Sequence, residues 1–426
     1  NPWGDSISGG LGSSSTSASL HPATAHPIRH AEIRVTDAAG TVIQCGETGS
    51  NGEINISLPQ GSQNYTVSVN SRCSNSTVLR ASVLNKPETN AFYSLSTTVN
   101  ATSSINIGTL TATATGETLG AAFNILDQIL SANIYLRAQV AGFTSAPKVT
   151  AYWQPGFNPN SYFGADSGLS FYLPGYSRLF ILGGLNGDVN NSDTDHYDNA
   201  VILHEYGHFL EDLFFKSDSP GGSHNGNKVI DPRLAWSEGW GNFFQAAVLY
   251  AESSTPFYID TIGNDDGNFT EQAFHVNLES PPLNSNECYS TSFNSLNGDC
   301  PRILGEGNFR EFSVTRMLWD MIDTTVDSRF SSTESVSSKF SEIWGTLVAT
   351  SNGFNDSRFA YRNVGLFHLA HDFHYPTTDL TGVRAVERQR GDTSDFAQYV
   401  TNSGACADST LTPTTVGVVG DIGTLD

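Results

Sequence analysis

The chain has 426 residues, enough for two or three domains with ample cores, and 38% hydrophobic with 11% aromatic residues describes a globular protein. Asp and Glu outnumber Lys and Arg by 43 to 21, a formal charge of -22 with no basic cluster, which argues against attachment to nucleic acid or anionic lipid. Only 15% of residues are charged, and Ser, Thr, Asn and Gly supply the polar surface, as in exported proteins.

Residues 1–27, opening "NPWGDSISGGLGSSSTSASL", are Gly/Ser-rich and read as a flexible tether. The start at Asn1, without Met or an apolar targeting segment, reads as a processed chain, and the expected location is secreted or cell-surface, tethered through the N-terminus. From 28 to 112, alternating stretches "AEIRVTD", "EINISLP", "YTVSVNS" and "TSSINIGTLTAT" are separated by "AAG", "SNG" and "PQG" turns. Period-two alternation with turns at this spacing predicts a small all-β, antiparallel sandwich. The run "IRVTDAAGTVIQCGETGSNGEINISLPQG" also resembles the carboxypeptidase regulatory-like, transthyretin-type sandwich, which implies an accessory module without chemistry of its own. Cys45 with Cys73, and Cys288 with Cys300, are spaced as two local disulfides of an oxidising compartment, leaving Cys406 over; buried thiols are the alternative.

Residues 113–392 change character. "ETLGAAFNILDQILSANIYLRAQVAG" has apolar positions three and four apart and predicts one long helix. Strand-like "KVTAYW", "LSFYLP" and "RLFILGG" follow, and 178–184 is read either as a sheet edge on which a peptide pairs or as a buried strand. Helical patterns then cover 198–216, 233–252, 308–323, 334–350 and 357–373, so the class is α+β, a mixed sheet with a helical half. Residues 393–426 are Thr/Gly-rich and read as a tail or last strand. No apolar run reaches the roughly 18 residues that span a bilayer, so no transmembrane segment is expected.

Within this region "VILHEYGHFLEDLFF" places His204 and His208 one helical turn apart, so both imidazoles project from one face and can reach one divalent ion. Glu205 is rotated by roughly 100° from His204, which suits a base that touches a metal-bound water better than a third ligand. The third ligand is expected to be Glu238, 30 residues after His208 in "RLAWSEGWGNFFQAAVLYAE", with Asn242 one turn later to hydrogen-bond a histidine's second nitrogen. No G-x-S-x-G is present, which leaves a serine hydrolase without a nucleophile motif.

"HEYGH" and "SEGWGNFFQA" together resemble the gluzincin zinc metallopeptidases, and are most similar to fungalysin and thermolysin relatives. The resemblance covers about residues 117–375, and "REFSVTRMLWDMID" is similar to the helix that follows in those enzymes. It implies Zn²⁺ held by His204, His208 and Glu238, Glu205 as general base on the metal's water, and a protein or peptide substrate. The family's aspartate near the zinc is Asn242 here. Its transition-state histidine has no counterpart near Asn308 and Arg310, so Arg310 is the expected oxyanion donor, with Tyr258, His275 and Asn308 as rivals. The competing class is a non-catalytic surface binding or adhesion protein on the same fold.

Two acidic loops remain. "DVNNSDTDHYDN" (188–199) clusters oxygen ligands that suit Ca²⁺ or, alternatively, helix capping, and "GNDDGN" (263–268) is a weaker version. His368, His371 and His374, three apart, suit either a second metal or a polar helix end.

Overall fold

The computed structural model describes residues 25–113, 119–189, 192–224, 230–264, 271–279, 309–325, 328–329, 332–333, 339–380 and 383. The chain forms two compact units: residues 1–138, 142–206 and 259–273, and residues 139–141, 207–258 and 274–426.

The first unit begins with strands β1 (Glu32–Asp37), β2 (Val42–Glu47), β3 (Asn64–Asn70), β4 (Arg72–Asn75), β5 (Leu79–Leu84) and β6 (Ser94–Asn100). The "DAAG" turn between β1 and β2 is closed by Asp37, whose Oδ1 accepts the N–H of Ala39 and Thr41 at 2.9 and 2.8 Å, with Gly40 at φ 81°. An antiparallel sheet in the order β2-β1-β3-β6 buries Ile33, Val35, Tyr65 and Val67. The strands of 28–112 do not all stay in that sheet. β4 and β5 instead lead into a five-stranded sheet, β4-β5-β7-β9-β8, built with β7 (Val149–Tyr152), β8 (Phe171–Leu173) and β9 (Arg178–Phe180). Pairing of β5 with β7 and of β7 with β9 is parallel, which needs long connections, and helix α1 (Leu119–Gln139) lies in the first of them. A sheet therefore runs across the expected boundary at 112.

Two alternating stretches, 53–58 and 102–112, are not strands. Ile54, Ile56 and Leu58 still point to the core of the first sheet, because alternation reports which side chains are buried and not which backbones pair. The choice left open for 178–184 is decided against a sheet edge: β9 lies between β7 and β8, and Leu179 and Phe180 are buried. The edge strand on that side is β8.

Helix α1 takes the predicted place and buries Ala122, Ile125, Leu126, Ile129 and Leu136. Its polar residues reach later segments of the unit. Asn124 donates to the carbonyl of His196 and to Asn199 Oδ1, and Asn133 donates to Tyr206 Oη at 2.8 Å while accepting the N–H of Ala146. A short helix α2 (Pro159–Tyr162) precedes β8, and helix α3 (Asn199–Phe214) follows the acidic loop.

The second unit is mostly helical: α4 (Pro232–Leu249), α5 (Glu311–Asp320), α6 (Phe340–Val348) and α7 (Val364–His374), with the ribbon strands β10 (Phe257–Asn264) and β11 (Glu271–Asn277) and a minor pair, β12 (Ser328–Arg329) and β13 (Ser332–Thr333). Its core is aromatic. Trp240 lies within ring contact of Phe215, Phe244, Phe340 and Trp344, and Trp236 packs on Phe354 and Phe367. Among the described residues no helix is long and apolar enough to cross a membrane.

The expected Cys45–Cys73 disulfide is not formed: both thiols are free. Cys45 is exposed on β2 opposite Arg34, whereas Cys73 is buried on β4 opposite Ala81, in the other sheet. Burial, with the nearby charges of Glu47 and Glu32, pushes the Cys73 thiol up to about 11. Cys288, Cys300 and Cys406 lie outside the described residues. In native protein without reductant, a thiol reagent is expected to label Cys45 and to reach Cys73 only after unfolding; mass spectrometry of Cys45→Ser and Cys73→Ser variants checks this.

Candidate metal centre

Helix α3 buries Val201, Ile202, Leu203, Tyr206, Phe209 and Leu210, and the polar residues among them are held at that depth. His204 and Glu205 are 7% and 8% exposed. Helix α4 starts at a defined cap, where the Asp231 side chain accepts the N–H of Arg233 and Pro232 occupies the first helical position. The glycines of the two motifs permit close helix packing. A Cβ on Gly207 would sit 3.2 Å from Gly241 Cα, and the Trp240 indole N–H donates to the Gly207 carbonyl at 3.0 Å. A Cβ on Gly239 would fall 2.5 Å from Val314 Cβ and 2.8 Å from the Glu311 carbonyl oxygen of α5. Glycine inside a helix costs about 1 kcal/mol against alanine, so its presence here reflects the space it leaves.

The ligand atoms of His204, His208 and Glu238 all lie within 4.8 Å of one another. His208 Nε2 and Glu238 Oε2 are 3.3 Å apart. Two ligands at 2.0–2.1 Å from a tetrahedral zinc are separated by about 3.3 Å, so this nitrogen and oxygen pair fits the ion in both donor type and span. Glu205 is outside the group, as its rotation around the helix requires. Its Oε2 instead accepts the backbone N–H of Tyr172, on the edge strand β8, at 2.7 Å.

His208 Nδ1 faces Glu211 Oε2 at 3.4 Å and Ser237 Oγ at 3.4 Å, and the Ser237 hydroxyl donates to Glu211 at 2.6 Å. Glu211, 1% exposed, is thus a group at His208 that the sequence reading did not name, and Asn242, expected beside a histidine ligand, is buried in α4. Glu211 follows His208 by three residues in an apolar run, and an acidic residue predicted to be buried there is the signal that identifies it. Arg310 is the buried N-cap residue of α5. His224, from the loop before α4, is set beside Glu238: its Nε2 is 3.6 Å from Glu238 Oε1 and its Nδ1 is 2.7 Å from Glu311 Oε2. Burial alone would lower the His224 pKa, but the Glu311 hydrogen bond and the charges of Glu238 and Glu311 outweigh it and push it up to about 9. Nothing in "SPGGSHNGNK" marks this histidine by pattern. Tyr258 is half-buried on β10, and Asn308 and the His275 side chain lie outside what the structure describes.

Part of the first acidic loop does gather. Carboxylate oxygens of Asp193, Asp195 and Asp260 lie within 4.8 Å of one another. Burial, then the charge of neighbouring carboxylates, holds Asp193 and Asp195 well above the usual range, although a hydrogen bond from Ser170 opposes this at Asp195. "GNDDGN" falls largely outside the described residues. The α7 histidines diverge: His371 Nε2 is 3.7 Å from Glu342 of α6, and His374 Nε2 is 3.0 Å from the Ser351 carbonyl, with no metal group formed among them.

A family model described as the mycolysin C-terminal domain matches residues 135–364, more than half of the chain and the whole span from His204 to Glu238. The chain belongs to this family. Membership places it among mycolysin- and fungalysin-type peptidases. No curated protein matches the chain.

Replacing Gly239 by alanine is expected to destabilise the helical unit by about 1–3 kcal/mol, because backbone and Val314 must move, despite the better helix propensity of alanine. A lower unfolding temperature by calorimetry is the expected result, and an unchanged one would remove the close approach as the reason for this glycine.

Proposed function

We propose that the chain is a zinc-dependent endopeptidase, acting outside the cytoplasm on protein or peptide substrates, with His204, His208 and Glu238 as zinc ligands. The observation that carries this reading is the pairing of His208 Nε2 with Glu238 Oε2 at 3.3 Å, one helical turn from His204. Membership in a peptidase family supports the reaction class. A zinc ion held there supplies Lewis acidity and an activated water.

The protein side of the chemistry then falls to named atoms. Glu205 Oε2 is anchored by the Tyr172 N–H, which holds the carboxylate on its rotamer and leaves Oε1 to take a proton from the attacking water and return it to the leaving amine. Because Tyr172 lies on the edge strand β8, one hydrogen bond sets the base relative to that strand. Glu211 and Ser237 orient His208 through Nδ1. Arg310, buried at the start of α5, keeps the expected oxyanion role.

The test pairs metal analysis with activity. Glu205→Gln is expected to keep one zinc per chain and to lose about 100-fold or more of casein hydrolysis, as loss of a general base does. Zinc retention with undiminished hydrolysis would sink the mechanism, and a wild-type chain that binds zinc but digests neither casein nor gelatin would establish the non-catalytic binding protein instead.

Asp193, Asp195 and Asp260 are proposed to take Ca²⁺, since three carboxylates this close, one buried and two half-buried, must either bind a cation or share protons. Added calcium is then expected to raise the unfolding temperature of metal-free protein. If the carboxyls only share protons, calcium leaves it unchanged. Their folded pKa values lie above the unfolded value of about 3.9, so that arrangement loses stability as pH rises from about 4.

A further inference from the structure

The two carboxylate oxygens of Glu238 face two different histidines. Oε2 lies 3.3 Å from His208 Nε2, on the side of the ligand group, and Oε1 lies 3.6 Å from His224 Nε2. His224 is itself fixed from behind. A carboxylate only accepts, so the 2.7 Å contact with Glu311 Oε2 places a proton on His224 Nδ1 and directs Nε2 at Glu238. Glu311 is 5% exposed in the first turn of α5, where the helix dipole favours a negative charge. Its position depends on Gly239, next to Glu238, which admits the α5 backbone. The backbone bond from Ile230 N–H to the Phe309 carbonyl, at 2.9 Å, ties together the segments that lead into α4 and α5.

We propose that His224, held by Glu311, is a positioning residue that steers the metal-binding carboxylate of Glu238 so that one oxygen meets the ion; this rests on the ligand assignment made above. At 3.6 Å the Nε2–H group faces Oε1 at slightly more than hydrogen-bond distance, so its effect is on the orientation of Glu238. With it, Oε1 is drawn to the imidazole and Oε2 is left for the metal. A histidine that only decorated the loop surface would leave zinc affinity unchanged.

Competition against a chromophoric zinc chelator, with the full chain, tests this independently of catalysis. His224→Ala is expected to bind zinc about 10- to 100-fold more weakly, the usual effect of removing a group that orients a ligand. Glu311→Gln should weaken it in the same direction, and the double variant should be no weaker than His224→Ala alone, because both act through one contact. His224→Gln, which keeps an N–H donor, should recover part of the affinity. The unfolding temperature of each metal-free variant, expected to match wild type, reports on folding. Wild-type affinity in His224→Ala, or losses that simply add in the double variant, would overturn the inference. A Glu238→Gln variant that still binds zinc as tightly as wild type would overturn the ligand assignment itself, a distinguishable result.

Discussion

Gly239 allows α5 to approach α4 to a distance that a single Cβ would forbid, with Glu311 carbonyl and Val314 standing where that carbon would be. Glu238 precedes it, and Glu311 begins the facing helix, so this approach sets the carboxylate proposed as a metal ligand beside the residue that holds His224. Gly207 plays the matching part on α3, against Gly241. Two histidines and a glutamate on separate helices meet at one point only if the helix axes come close, and small residues at the crossing are the physical means.

The second consequence of this packing is electrostatic. Glu211, Glu238 and Glu311 are each buried to about nine-tenths or more, and the imidazoles of His208 and His224 are set against them. Buried carboxylates are tolerated when they are paired or bind a cation. A divalent ion at the proposed ligands His204, His208 and Glu238 would add positive charge where their ligand atoms converge. The same reasoning applies at Asp193, Asp195 and Asp260, where no histidine is in the group.

Much of the site was legible because its signals are local. The four-residue spacing of His204 and His208 follows from helical period, and the second helix with Glu238 has its own apolar pattern and its own cap at Asp231 and Pro232. Helices α1, α3, α4, α6 and α7 fall where the periodicity puts them. The strands were less readable. "EINISLP" alternates because Ile54, Ile56 and Leu58 are packed inward, yet no partner strand pairs with it, and β5 pairs with β7 some 65 residues away, beyond the reach of any local pattern.

The residues of this chain therefore determined the helices, the pair of histidines on one face, the glutamate beside them that is turned away from the histidine pair, and the net negative charge. Only the tertiary structure decided which polar side chains meet at the candidate site: Glu211 and Ser237 at His208, and the loop histidine His224 between Glu238 and Glu311. It also left Cys45 and Cys73 in separate sheets and put β8, not β9, at the edge beside Glu205. The division has one cause. Periodicity and capping act over a few residues and leave a mark in the sequence, whereas contacts across helices depend on how closely backbones pack and leave none beyond glycines at the crossing.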